Sequence, residues 1–179
     1  IVDISRLGGC KRGSPMAAGS ASFVGDGQGV IESVHKRELL DEKLKSAEGI
    51  RFFELAGPRE KIYFDPSKLK CAIATCGGLC PGLNDIIRSI VLTLYHIYNV
   101  KTIYGIKHGL QGFIPEFEHD TMELHPGSVS GIQNTGGSIL GSSRGSQDID
   151  TIIDCLERMS IGILFMVGGD GTLMASKKI

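Results

Sequence analysis

Ile161-Gly162-Ile163-Leu164-Phe165-Met166-Val167-Gly168-Gly169-Asp170-Gly171-Thr172 is the stretch on which the fold turns. Its first seven residues are mostly large and apolar, which predicts a strand buried on both faces. Glycines then break the strand and let a ligand approach the main chain. Thr172 opens Leu173-Met174-Ala175-Ser176-Lys177-Lys178, a run of good helix formers. A helix start offers unpaired N–H groups and partial positive charge, so the turn suits a phosphate. Asp170 repels that phosphate unless a cation lies between them. A Mg²⁺ held by one carboxylate and the phosphate oxygens resolves the conflict.

The surrounding chain supports a soluble α/β domain. It has 179 residues, 41% of them hydrophobic and 22% charged, enough for a real core. The net charge of −1 gives no reason to expect a nucleic-acid or membrane partner. No apolar run approaches the ~20 residues of a membrane span. The opening Ile1-Val2-Asp3-Ile4-Ser5-Arg6 lacks the features of a signal peptide. Five cysteines, three of them at 71, 76 and 80, do not follow a standard zinc spacing. Free thiols in a reducing cytosol are the simpler account.

Residues 69–75 read as a first core strand. It ends in Cys76-Gly77-Gly78-Leu79-Cys80-Pro81-Gly82-Leu83-Asn84-Asp85, again a glycine-rich turn. Ile86, Ile87, Ile90, Val91, Leu94 and Ile97 follow at helical spacing on one face, with Asn84 and Arg88 elsewhere on the helix. Residues 101–106 form the next strand, completing a βαβ unit whose crossover should be right-handed. Gly77 and Gly78 then sit at the carboxyl end of a parallel strand, where open α/β sheets bind ligands. Residues 107–121 read as loop, and 122–124 as a short strand. His108, His119 and His125 show no ligand spacing and are given no chemistry.

A third loop, Asn134-Thr135-Gly136-Gly137-Ser138-Ile139-Leu140-Gly141-Ser142-Ser143-Arg144-Gly145, carries a guanidinium whose fork suits phosphate oxygens. Asp148 is the candidate N-cap of the helix after it. Ile149, Ile152, Ile153, Leu156 and Met159 form that helix's buried stripe. Ahead of the core, residues 8–14 fail the Walker pattern and read as a flexible arm. Residues 32–47 read as an exposed helix with Leu39, Leu40 and Leu44 as its stripe. Residues 1–56 are expected to form an extension lying over a partner subunit or another part of the fold.

Three glycine-rich loops near three strand ends can meet over one ligand. They offer close backbone approach, a fixed positive charge and a metal-binding carboxylate, the set that phosphoryl transfer needs. No residue is a persuasive base for the acceptor hydroxyl.

In order, Gly77-Gly78-Leu79-Cys80-Pro81-Gly82-Leu83-Asn84, then residues 136–145, then Gly168-Gly169-Asp170-Gly171-Thr172 resemble the motifs of the phosphofructokinases. The likeness spans about residues 57 to 179 and is greatest to the branch with plant, trypanosomatid and related bacterial ATP-dependent enzymes. It implies a Rossmann-like three-layer α/β sandwich with a mostly parallel sheet. It also implies transfer of the γ-phosphoryl of ATP to the 1-hydroxyl of fructose 6-phosphate, a glycolytic step, in the cytoplasm.

By position, Gly78 would contact the nucleotide phosphates, Arg144 and Gly145 the nucleotide, and Gly169, Asp170, Gly171 and Thr172 the phosphate chain. Asp170 would carry Mg²⁺. Gly171 stands where glycine goes with ATP and aspartate with pyrophosphate. Ala175 departs from a common glycine and adds a methyl beside the nucleotide. The family's catalytic Thr-Ile-Asp run should lie beyond Ile179, so residues 57–179 read as the N-terminal part of the nucleotide-binding domain, with no catalytic base. The family's habit implies a homodimer or homotetramer and allosteric control.

Alternatives are a pyrophosphate-dependent phosphofructokinase and a non-catalytic nucleotide-binding subunit or sensor. Lipid and NAD kinases share Gly-Gly-Asp-Gly but lack the two earlier loops.

Overall fold

The computed structural model describes residues 6–19, 22–32 and 52–179. The helix expected over residues 32–47 therefore lies, beyond Glu32, outside the described residues. The chain divides into two compact units, Ile1–Phe64 and Asp65–Ile179.

The first unit holds two short antiparallel ladders. Strands β1 (Arg12–Gly13) and β4 (Lys61–Ile62) pair, as do β2 (Gly29–Ile31) and β3 (Phe52–Glu54). Residues 8–14 were expected to be a flexible arm. Instead Arg12 lies opposite Ile62, and buried Ser14 accepts a hydrogen bond from Met16 N at 3.3 Å. Arg59 reinforces this unit by donating to the carbonyls of Val24 (3.0 Å), Gly25 (3.0 Å) and Leu55 (2.6 Å).

The second unit is built on β5 (Lys70–Thr75). Its flanking strands are β6 (Thr102–Ile106), β7 (Thr121–Glu123) and β8 (Ile163–Val167), in the order β7-β6-β5-β8. β6 and β8 run parallel to β5, and β7 is an antiparallel edge. The sheet is mostly parallel, as its motifs predict. Alternation along β5 sends Cys71 and Ile73 to one face and Ala72 and Ala74 to the other, and all four are fully buried.

Helix α1 (Leu83–Leu92) covers the first face through Ile87 and Val91, and the wider turn Thr93–Ile97 adds Leu94. Helix α2 (Ile149–Met159) covers the second through Ile152 and Cys155. Each such aliphatic side chain stabilises the fold by about 1.5–3 kcal/mol. Helix, sheet and helix make the three layers.

Several sequence expectations are corrected. Ile86 and Ile97, expected in the α1 stripe, are 43% and 44% exposed. Asn84, expected away from the buried face, is 2% exposed and shares that face with Ile87 and Val91. On α2 the buried stripe includes Cys155, while Ile149, Ile153, Leu156 and Met159 are half-buried. β8 was expected to be seven residues buried on both faces. It is five residues, all half-buried, because among the described strands it pairs only with β5.

Candidate functional site

From the central strand β5 the chain turns to β6 on one side, while β8 lies on the other. The turn after β5 leads to α1 on the first face. The turn after β8 leads to α3 (Asp170–Ser176), whose Ala175 packs against the second-face core. The two connections leave adjacent strand ends toward opposite faces and open a crevice between them.

The turn after β8 is tight. A β-carbon at Gly168 would collide with Thr172 Oγ1 and lie 2.7 Å from the Cys76 carbonyl oxygen, so no larger residue fits. Thr172, expected to open α3, lies inside it. Gly169 is the N-cap and Asp170 the first helical residue, because Thr172 N and Leu173 N both donate to the Gly169 carbonyl at 2.9 and 3.1 Å. Thr172 is buried, while Asp170 is exposed.

The Arg144 loop is fastened to the end of β5. Thr75 Oγ1 donates to the Gly141 carbonyl at 2.5 Å and lies 2.8 Å from Ser138 Oγ. Ser142 Oγ donates to the Gly77 carbonyl at 2.6 Å, and Gly77 N donates to the Ser143 carbonyl at 3.1 Å. Cys76 N in turn donates to the Val167 carbonyl at 2.8 Å, linking the β5 and β8 turns. Gly145 follows with φ +96°, a left-handed conformation that glycine adopts without strain.

These three segments surround one cleft of about 520 Å³, within the usual range for a small-molecule site. Of the residues expected to bind ligand, Gly78, Arg144, Gly145, Gly169, Gly171 and Thr172 all line it. Asp170 does not; its neighbours Gly169 and Gly171 do. Arg144 lies over Gly78, its Nη2 3.5 Å from where a β-carbon would stand on residue 78. The wall also includes residues that sequence reasoning passed over: Leu110, Ser146, Gln147, Met174 and the second cation, Lys178.

Among the described residues no three His, Cys, Asp or Glu side chains cluster to cage a metal. The exposed carboxylate of Asp170 is the kind of donor that fits Mg²⁺, which keeps several waters and needs only one or two protein carboxylates.

Titratable groups near the cleft are few. Burial pushes the Cys76 thiol up, opposed by a backbone hydrogen bond from Leu110. Asp148, just past the loop, caps α2. It accepts from Thr151 Oγ1 (2.5 Å) and Thr151 N (2.9 Å), and these bonds hold its carboxyl below the usual range. His108 and His119, scattered in sequence, have ring centroids 4.3 Å apart.

A family model for phosphofructokinase matches residues 70–179. The chain belongs to the phosphofructokinase family. Its matched region holds the whole cleft. The chain is 47% identical over 178 residues to the ATP-dependent 6-phosphofructokinase of Borreliella burgdorferi, covering 97% of this chain and 39% of that one. It is 50% identical over 126 residues to the ATP-dependent 6-phosphofructokinase of Trypanosoma cruzi, covering 70% and 26%. It thus spans about a quarter to two fifths of the length of these curated relatives.

Among solved structures, the phosphofructokinase of Pichia pastoris in the T-state aligns with a TM-score of 0.56 and 27% identity over 63% of this chain and 12% of that one. The pyrophosphate-dependent phosphofructokinase of Marinobacter aquaeolei shares the fold, with a TM-score of 0.54 and 20% identity over 62% and 29%.

Proposed function

We propose that the complete protein carrying this chain is an ATP-dependent 6-phosphofructokinase and that this chain builds its phosphoryl-donor site. One observation carries the reading. The turns at Gly78, Arg144 and Gly169–Thr172 line a single cleft in a chain whose relatives bear that name. Gly171 supports ATP over pyrophosphate, because its open surroundings leave room for a nucleotide's α-phosphate.

In this reading the Arg144 guanidinium neutralises phosphate charge, while the glycine turns admit phosphate oxygens to backbone N–H groups. Asp170 would hold Mg²⁺, which would supply charge neutralisation on the phosphate chain. The acceptor is the 1-hydroxyl of fructose 6-phosphate. None of the side chains lining the donor cleft is a carboxylate or imidazole that could take its proton. Residues 57–179 serve as the N-terminal part of the nucleotide-binding domain and residues 1–56 as an extension. The working protein is a cytoplasmic homo-oligomer.

A substrate panel on the complete protein tests this. With MgATP, fructose 6-phosphate should be phosphorylated, and NAD and diacylglycerol should not. Phosphorylation of either of the latter favours the other Gly-Gly-Asp-Gly kinases. Nucleotide binding with no turnover of any acceptor favours a sensor. Asp170→Asn should nearly abolish Mg²⁺-dependent turnover, and full retained activity would move the metal elsewhere.

A further inference from the structure

We infer that Asn84 is a positioning residue for the donor site, holding the Arg144 loop in register with the Gly77-Gly78 turn. The inference rests on the donor-site reading above and adds a residue to it. Asn84 is the second residue of α1, six positions after Gly78, and does not line the cleft. Its Nδ2 donates to the Thr135 carbonyl at 2.8 Å, and its Oδ1 accepts from Ile139 N at 2.9 Å. One buried carboxamide therefore pins both ends of the 135–139 segment.

That segment leads directly into the anchors on Thr75 and Gly77. Arg144 follows the last of them, the Ser143 carbonyl. The job needs a donor and an acceptor fixed in one plane at one length. Aspartate keeps the acceptor and loses the donor, and alanine loses both. Buried polar groups left without partners relax by moving, so the loop, and Arg144 with it, would shift from its place over Gly78.

Affinity for a non-hydrolysable ATP analogue with Mg²⁺, measured on the complete protein, tests this as a double-mutant cycle. Asn84→Ala and Arg144→Ala should each weaken binding about tenfold, and the double variant by no more than about twofold beyond Arg144→Ala alone. KM for fructose 6-phosphate should stay constant. An Asn84→Ala loss that adds in full to that of Arg144→Ala assigns Asn84 a merely structural role and overturns the inference. So does an unchanged affinity in Asn84→Ala. Should Asn84→Ala fail to fold, Asn84→Asp replaces it in the same cycle, with the same outcomes for and against. If Arg144→Ala alone leaves affinity unchanged, the donor-site reading itself falls, a result distinct from additivity.

Discussion

Arg144 lies against Gly78, with Nη2 3.5 Å from the position a β-carbon would take on residue 78. The two residues are far apart in the chain and come from different loops. A side chain at 78 would project toward the guanidinium within the cleft that both residues line. Gly78 itself lies outside the left-handed region, so its backbone tolerates a larger residue. Gly78→Val should therefore fold normally and weaken nucleotide binding about tenfold or more. Titration with an ATP analogue checks this, and unchanged affinity would show that ligand phosphates do not approach residue 78.

Gly168 presents the opposite case. An added methyl would meet Thr172 Oγ1 and the Cys76 carbonyl, one of them backbone that cannot swing aside. Gly168→Ala should destabilise the protein by about 1–3 kcal/mol, the usual cost of overpacking. Denaturant unfolding measures this directly, and wild-type stability would mean the two turns separate easily.

Gly171 has open space around its β-carbon position and no left-handed φ. Gly171→Asp should keep the fold while placing a carboxylate where the α-phosphate of a nucleotide would lie. The ratio of activity with pyrophosphate to activity with ATP should rise, and a constant ratio would count against the steric argument.

Cys71 sits in the core with its thiol pushed up to about 11 from 9.0 by burial. The unfolded chain then loses this proton near pH 9 while the folded chain keeps it until about pH 11. The stabilising contribution is complete below the lower value. It is lost as pH rises through that window, with a slope of up to one proton. Tm of the complete protein should fall across this range, and Cys71→Ala should flatten part of that fall. Identical slopes in the two proteins would mean that other groups carry the loss.

Asn84 shows where sequence reading stopped. Its spacing with Ile87 and Val91 places it on the buried face, yet the stripe read from the apolar residues left it elsewhere on the helix. Only its partners, the Thr135 carbonyl and Ile139 N, make burial tolerable, and both lie in a distant loop. The contact between His108 and His119 escaped notice for the same reason: no local spacing encodes it.

Local chemistry alone indicated the core strands, the helices after the Gly78 and Arg144 loops and the candidate ligand turns. Apolar runs that end in glycine specify strands that must stop, and helical spacing of Ile87, Val91 and Leu94 specifies a packed helix. The order of three such loops pointed to the family. What only the tertiary structure decided is which backbone and side-chain groups meet. Strand order puts β8 beside β5, and the hydrogen bonds from Thr75 and Ser142 bring the Arg144 loop to the Gly78 turn while Asp170 stays outside the lining. Those pairings depend on long-range contacts whose free energy appears only once the sheet has assembled, so no window of sequence contains them.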